Sequence, residues 1–134
     1  MPRAGVKPCM YVREATPDDH LAARSIFDVA MLQVPEFHRA ELLVAVVGGD
    51  DGPERVVGAL AVHAEERHER GEIEAVAVRP RRRGQGIGTR LVEAAERRWT
   101  PLVAEFDERV RPFYESLGFD VESLEDGRLR GVSR

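Results

Sequence analysis

The chain has 134 residues, a formal net charge of −4 and a single cysteine. This length predicts one compact domain over residues 1–134, and one cysteine excludes an internal disulfide. Four dispersed histidines offer no metal-ligand spacing, and the negative charge argues against general nucleic-acid binding. The N-terminus lacks the apolar core of a signal peptide, and the longest aliphatic run, Leu42 to Val47, is too short to cross a bilayer. We therefore expect a cytoplasmic protein with no metal and no membrane segment.

The first predicted elements are a strand and an amphipathic helix. The strand covers Met10 to Glu14. Thr16 is a candidate helix cap, and Pro17 suits the first helical position. The predicted buried face of the helix consists of four apolar residues, Leu21, Ile26, Val29 and Ala30.

Pro35 interrupts the helical pattern between Gln33 and Arg39, which predicts a loop or a short second helix. Phe37 and His38 in this segment are interpreted as surface residues, with substrate contact as the alternative. Two apolar strands follow, Leu42 to Val47 and Val56 to Ala64. The turn-rich residues 48–53 between them predict an antiparallel hairpin, with a bulge near Gly58. Residues 65–70 are charged and predict a solvated turn.

A further strand is predicted from Glu72 to Val78, where Ile73, Ala75 and Ala77 alternate with Glu74, Val76 and Val78. Pro80 ends this strand because it lacks a backbone donor. A helix then begins at the glycines, since apolar residues recur at helical spacing at Ile87, Leu91, Val92 and Ala95.

The glycines at this helix start predict an anion-binding site. The first turn of a helix leaves backbone N–H groups unpaired and carries the positive end of the macrodipole. Gly84, Gly86 and Gly88 allow close approach and positive φ, and four arginines between positions 79 and 83 add charge suited to phosphate. The dinucleotide fingerprint fails because Thr89 and Leu91 are not glycine, and a P-loop fails because the only lysine is Lys7.

Downstream, Leu102 to Asp107 predicts a strand, and Pro112 lies near the start of the last helix. Asp126-Gly127 predicts a tight turn between two closing strands, Val121 to Leu124 and Leu129 to Val132. The order of strands and helices predicts an α/β domain with a mixed sheet.

Two segments carry a resemblance to a known family. Arg83, Gly86 and Gly88 match the pattern Arg/Gln-x-x-Gly-x-Gly/Ala, which resembles the acetyl-CoA pyrophosphate loop of the GNAT superfamily of N-acetyltransferases. Arg111 to Phe119 is similar to the Phe-Tyr-Glu-x-Leu-Gly-Phe segment that closes the core of the same superfamily. The resemblance covers roughly residues 72–121. It implies a GNAT-like fold, a mixed, mostly antiparallel central sheet flanked by helices, with acetyl-CoA as co-substrate.

The resemblance also implies roles for single residues. Tyr114 occupies the position of the general acid, and Glu72 that of a general base, with Glu74 or a water molecule as alternatives. Asp107 stands where the family often has asparagine, so we expect it to orient the loop or cap the last helix instead of contacting the cofactor. The implied cofactor contacts are Val76 and Val78 through their backbone, together with Arg83, Gly84, Gly86, Gly88 and Thr89.

The resemblance thus predicts acetyl transfer to a primary amine by direct attack in a ternary complex. Cys9 lies near the opening strand, so an acetyl-cysteine intermediate is not expected. The alternative is a non-catalytic acyl-CoA-binding regulatory or partner-binding module with the same fold. The expected acceptor is a small-molecule or peptide amine, without nucleic-acid or membrane partners, and a homodimer is possible.

A further hypothesis concerns the charge of the acceptor. Strand alternation places Glu72 and Glu74 on one face of their strand, and Val103, Glu105 and Asp107 on a common face of the next. If these faces meet at the cleft, the carboxylates would favour a cationic acceptor over an acidic amino acid. The alternative is that Glu105 merely faces solvent.

Overall fold

A computed structural model describes residues 10–48, 52–64 and 70–133 of the chain. Cys9, most of the hairpin connector and the charged turn at 65–69 lie outside the described residues. The strands are β1 (Met10–Glu14), β2 (Glu41–Val47), β3 (Arg55–Ala64), β4 (Gly71–Val78), β5 (Leu102–Phe106), β6 (Asp120–Ser123) and β7 (Leu129–Ser133). The α-helices are α1 (His20–Val29), α2 (Ile87–Glu96) and α3 (Arg111–Ser116). Short 3₁₀ turns cover Pro17–Asp19, Phe37–Arg39, Pro80–Arg82 and Glu108–Val110.

The strands form one mixed sheet in the order β1-β2-β3-β4-β5-β7-β6. Every neighbouring pair is antiparallel except β4 and β5, which are parallel and are connected through α2. The closing hairpin folds back so that β7 lies between β5 and β6. The predicted mixed, mostly antiparallel sheet with flanking helices is therefore confirmed.

Each face of the sheet carries its own apolar core. On one face α2 packs against the sheet through Leu91 and Val92, in a cluster that also contains Leu60 and Phe106. A Cβ at Gly58 would lie 3.0 Å from the Ile87 side chain, so a glycine there lets α2 approach closely. The bulge between β2 and β3 lies next to Gly58. Ala45 pairs with Gly58 and Val46 pairs with Val56, so Val57 is the extra residue.

On the other face α1 buries Ala23, Ile26 and Phe27. The predicted burial of Leu21 and Val29 is wrong, because these side chains are 81% and 58% exposed. The helix is rotated relative to the expectation, so Phe27 takes the central position. Phe37 is also buried, contrary to its interpretation as a surface residue; its ring meets Phe27 edge-on at 6.3 Å.

The start of α1 is secured by a buried ion pair. Asp19 is 8% exposed and accepts hydrogen bonds from the backbone N–H and hydroxyl of Thr16, at 2.7 and 3.0 Å. Arg13 of β1 donates to the same carboxylate at 2.7 Å. The hydrogen bond from Arg13, above all, lowers the pKa of Asp19 from 3.8 to about 2. The sequence signal at Thr16 and Pro17 therefore marks the junction between the edge strand and the helix.

Within the described ranges, the helices include none that is both long and apolar enough to span a membrane. The same residues contain no group of three or more histidine, cysteine, aspartate or glutamate side chains arranged to hold a metal ion.

Candidate active site

A cleft opens where β4 and β5 separate. The two parallel strands pair only over Gly71–Ile73 and Leu102–Ala104, whereas β4 continues to Val78. Beyond Ile73, the backbone groups of β4 that point toward β5 are therefore available to a ligand. The cleft has a volume of about 550 Å³, and α1, α2, α3 and the β6–β7 turn contribute to its rim.

A bulge in β4 changes which side chains face the cleft. Ala61 of β3 pairs with Ala75, but the next residue, Val62, pairs with Ile73, so Glu74 is the extra residue. Ile73 packs in the α2-side core and Ala75 in the α1-side core. The predicted placement of Ile73 and Ala75 on one face is therefore wrong. A continuous period-two pattern cannot reveal a bulge, because one extra residue inverts every later side chain.

The bulge brings Glu74 to the cleft on the α1 side of the sheet. Burial, and then the negative charge of Glu72, raises the pKa of Glu74 above its ordinary value; Glu36 adds to the rise and His63 opposes it. Both glutamates are exposed, but Glu72 lies directly across from His63 and outside the lining of the cleft. Between the two glutamates proposed from the sequence, Glu74 is thus the one in position to meet a ligand.

Tyr114 forms part of the opposite wall, on the α2 side of the sheet. Its ring is stacked on Phe106, with centroids 4.3 Å apart, and meets Phe113 and Phe119 edge-on at 5.1 and 5.2 Å. The residue is only 4% exposed, and burial raises its pKa well above that of a free phenol. No hydrogen-bond partner for its hydroxyl is found within residues 10–48, 52–64 and 70–133. Tyr114 is therefore a core residue that also brings a protonated, unpaired phenol to the cleft.

The glycines take the conformations that the sequence predicts. Gly84 and Gly86 have φ of 79° and 81°, and Gly86 is the N-cap of α2. The space around both is open, whereas a Cβ at Gly88 would lie 3.4 Å from the Phe113 ring. Gly88 lines the cleft; Gly84, Gly86 and Thr89 lie beside it at the helix start. The first-turn amides of α2 are thus accessible to an anion at the cleft's end.

Val76, Val78 and Arg83 also line the cleft. The Arg83 side chain donates from Nε to the carbonyl oxygen of Val78 at 3.3 Å, which holds it near the strand end. The other arginines of this loop, Arg79, Arg81 and Arg82, line a different hollow and not the cleft. Of the four arginines between positions 79 and 83, only Arg83 therefore lines the cleft.

Asp107 caps the short turn before the last helix, whereas the N-cap of α3 itself is Val110. Its carboxylate accepts a hydrogen bond from the backbone N–H of Arg109 at 3.0 Å and begins the Glu108–Val110 turn that leads into α3. Hydrogen bonds from Arg109 lower its pKa. Arg109 and Arg128 both line the cleft, yet sequence reasoning missed them. In the sequence, the only features that pointed to these arginines were their positions: Arg109 lies two residues after Asp107, and Arg128 directly follows the predicted Asp126-Gly127 turn.

The lining of the cleft has a mixed charge. Glu74, Glu105 and Asp107 line it as carboxylates, in agreement with part of the cationic-acceptor hypothesis. Val103 instead lines a separate hollow, and Asp107 is already paired with Arg109. Glu74 and Glu105 are therefore the carboxylates in the cleft without an ion-pair partner among the described residues.

Comparisons with known proteins agree with this geometry. The family model for the acetyltransferase (GNAT) domain matches residues 38–121, more than half of the chain. No curated protein sequence matches the chain. Among solved structures, the Mycobacterium tuberculosis protein Rv2747 in complex with CoA is similar at 22% identity, with a TM-score of 0.72 over 91% of this chain and 97% of that one.

Two further solved structures are similar to this chain. N-acetylglutamate synthase from Neisseria gonorrhoeae, complexed with coenzyme A and L-arginine, has 17% identity and a TM-score of 0.72, over 96% of this chain and 34% of that one. The ribosomal-protein-S18-alanine N-acetyltransferase from Escherichia coli has 18% identity and a TM-score of 0.63, over 92% and 91%. At these identities the likeness concerns the fold. By the match of the family model, the chain belongs to the acetyltransferase (GNAT) domain family.

Proposed function

We propose that this protein transfers an acetyl group from acetyl-CoA to a primary amine, by direct attack in a ternary complex. The observation that carries the proposal is the cleft between β4 and β5. It has a carboxylate of raised pKa on one side, and on the other a buried phenol with no hydrogen-bond partner among the described residues. An anion-binding helix start at one end of this cleft fits the phosphates of the cofactor.

The chain offers contacts for the pantetheine arm and the diphosphate of acetyl-CoA, which supplies the thioester. Val76 and Val78 lie where β4 has left β5, so their backbone groups suit the amides of a pantetheine arm. Gly84, Gly86 and Gly88, with the amide of Thr89, suit the diphosphate at the start of α2. Arg83 adds charge at the same end.

The amine must lose a proton, because an alkylamine has a pKa of about 10 and is protonated at neutral pH. Glu74 is the base we favour, since it lines the cleft and its pKa is raised, which strengthens a carboxylate as a proton acceptor. Glu72, favoured on the resemblance, would act through its charge on Glu74 or through a water molecule. Comparing Glu72→Gln with Glu74→Gln separates these roles, and we expect the larger loss of turnover in Glu74→Gln. A larger loss in Glu72→Gln would contradict the assignment of Glu74 as the base.

Tyr114 would stabilise the departing thiolate. The amine nitrogen bonds to the carbonyl carbon, the carbon–sulfur bond breaks, and the sulfur takes up negative charge. A thiol has a pKa of about 8.5, below that of a buried phenol, so complete proton transfer from Tyr114 is uphill. We therefore propose that the Tyr114 hydroxyl donates a hydrogen bond to the sulfur as the carbon–sulfur bond breaks. The proton that finally neutralises the thiolate then comes from water, either directly or relayed through this hydroxyl.

We further propose that the acceptor amine is cationic before it reacts and is either a small molecule or a peptide. Glu74 and Glu105 support this, because both carboxylates line the cleft without an ion-pair partner in the described part of the chain. The test compares kcat/KM for a cationic amine and for an acidic amino acid at two salt concentrations. We expect a preference for the cation that falls as salt rises. Preference for the acidic acceptor, or indifference to salt, would contradict the proposal.

The decisive experiment for the function is a thiol-release assay with acetyl-CoA against a panel of amines and peptides, alongside calorimetric titration with CoA. Turnover with at least one amine supports the enzyme. CoA binding without turnover on any amine supports the alternative, a non-catalytic acyl-CoA-binding module. Cytoplasmic location and a possible homodimer belong to the same proposal, and sedimentation of the purified protein tests the dimer.

A further inference from the structure

A second hollow, outside the cleft, is lined mainly by arginines. It has a volume of about 570 Å³ and lies between the start of β3 and the Pro80–Arg82 turn. We call it the arginine hollow, after the four residues Arg55, Arg79, Arg81 and Arg82 that line it with neighbouring apolar residues. No acidic side chain is among its lining residues.

The arginine hollow is assembled by the tertiary fold and is not a simple charged run. Arg79 donates from Nε to the carbonyl oxygen of Val56 at 2.8 Å, and its backbone N–H donates to Val57 at 2.9 Å. These two bonds fasten the turn after β4 to the start of β3. Arg55 then joins the cluster from a position 24 residues before Arg79 in the chain. The hydrogen bonds thus define one rim of the hollow.

Among the described residues, no carboxylate pairs with the arginines of the hollow. Arg55, Arg81 and Arg82 form no side-chain ion pair or hydrogen bond within the part of the chain that the structure describes. The nearby Glu54 does not pair with them, because it accepts from Arg13 at 2.9 Å. The chain has 24 acidic residues against 20 basic ones, so carboxylates are in excess. Four like charges that converge without a carboxylate partner in the described part of the chain repel one another, and an anion would relieve that repulsion.

We propose that the arginine hollow binds a phosphate monoester. Guanidinium groups remain charged at any physiological pH, and their planar donors match phosphate oxygens in pairs. The phosphate has two possible sources. One is the 3′-phosphate of CoA bound in the neighbouring cleft, a source that rests on the proposed function; the other is a separate phosphate compound that binds independently of CoA.

Arg55→Gln tests the proposal, because Arg55 lies on β3 and not on the loop that carries the cofactor glycines. Arg97→Gln is the matched control, since Arg97 is exposed at the end of α2, away from the hollow, and loses the same charge. Each variant is first compared with wild type by thermal melting. Calorimetric titrations at low salt then use three probes, which are CoA, dephospho-CoA and inorganic phosphate.

If the cofactor supplies the phosphate, wild type binds CoA more tightly than dephospho-CoA. Arg55→Gln then lowers the affinity for CoA about tenfold and leaves the affinity for dephospho-CoA unchanged. If the source is separate, CoA and dephospho-CoA bind equally, and inorganic phosphate binds wild type but binds Arg55→Gln at least about tenfold more weakly. Equal behaviour of Arg55→Gln and Arg97→Gln with all three probes would overturn the proposal. If wild type neither transfers acetyl groups nor binds CoA, the proposal for the hollow still stands or falls by the titration with inorganic phosphate.

Discussion

Replacing Tyr114 by phenylalanine separates the proposed catalytic role of the hydroxyl from the packing of the ring. The ring is stacked on Phe106 and meets Phe113 and Phe119 edge-on, and phenylalanine can keep all three contacts. The hydroxyl is buried and has no hydrogen-bond partner in the described part of the chain. Burying an unpaired hydroxyl costs about 1–3 kcal/mol in proteins, an effect that a water molecule in the cleft would reduce. We therefore expect the Tyr114→Phe protein to be as stable as wild type, or more stable by up to about 1 kcal/mol.

The same substitution should slow turnover by about 10²-fold or more, the loss typical of a positioned proton donor. Three measurements test the split: kcat from thiol release, the affinity for CoA from calorimetry, and the melting temperature. One kcal/mol corresponds to about 4 °C for a chain of this length. Tyr11→Phe is the matched control, because it removes the hydroxyl of the other tyrosine, which is 38% exposed on β1.

The reasoning about Tyr114 would be refuted by either of two results. Wild-type turnover in Tyr114→Phe on the best acceptor would mean that the residue serves packing alone. A large fall in melting temperature would mean that the hydroxyl has a structural partner, so that a lower rate could not be assigned to chemistry.

Three further predictions concern the cofactor loop, the base and the fold. Gly86→Glu should abolish measurable CoA binding in a folded protein, because it adds negative charge and strains a residue at φ 81°. Gly118→Glu, at φ 85° after α3 and outside the lining of the cleft, should leave CoA affinity unchanged in the same titration. Glu74→Gln should reduce kcat/KM and remove the acidic limb of the pH profile of kcat/KM. In wild type this limb should lie above the ordinary glutamate pKa of 4.5, because the pKa of Glu74 is raised. An unchanged pH profile in Glu74→Gln would exclude Glu74 as the base. Asp19→Asn should lower the free energy of unfolding by about 2 kcal/mol at pH 7, because Arg13 depresses the pKa of Asp19 to about 2. That stabilisation is present above pH about 4 and is lost as the pH falls toward 2, so denaturant unfolding of the two proteins should converge there; a constant difference would contradict it.

Much of the architecture could be read from local signals in the chain. The apolar runs of residues 42–47 and 56–64, the alternation from Glu72 to Val78, the cap signal at Thr16 and the glycines before Ile87 all predicted elements that the structure contains. These signals are reliable because each depends on contacts within a few residues: the pattern of side chains along a strand, a donor lost at proline, and positive φ at glycine. The two motifs around Gly86 and Tyr114 identified the family for the same reason, since each is a short continuous segment.

Other features depend on how distant segments meet, and the sequence pattern carried no signal for them. The bulge at Glu74 arises from the pairing of β4 with β3, and it decides which glutamate reaches the cleft. Leu21 was predicted to be buried, but the rotation of α1 on the sheet places Phe27 there instead. Arg83 and Arg79 are near neighbours in one loop, yet they line different cavities because only Arg79 is fastened to β3. The sequence by itself thus determined the elements, the family and the glycine-rich helix start, since these depend on short-range sterics and hydrogen bonding. Only the tertiary structure decided which charged side chains share a cavity, because that depends on strand register, helix rotation and hydrogen bonds between residues far apart in the chain.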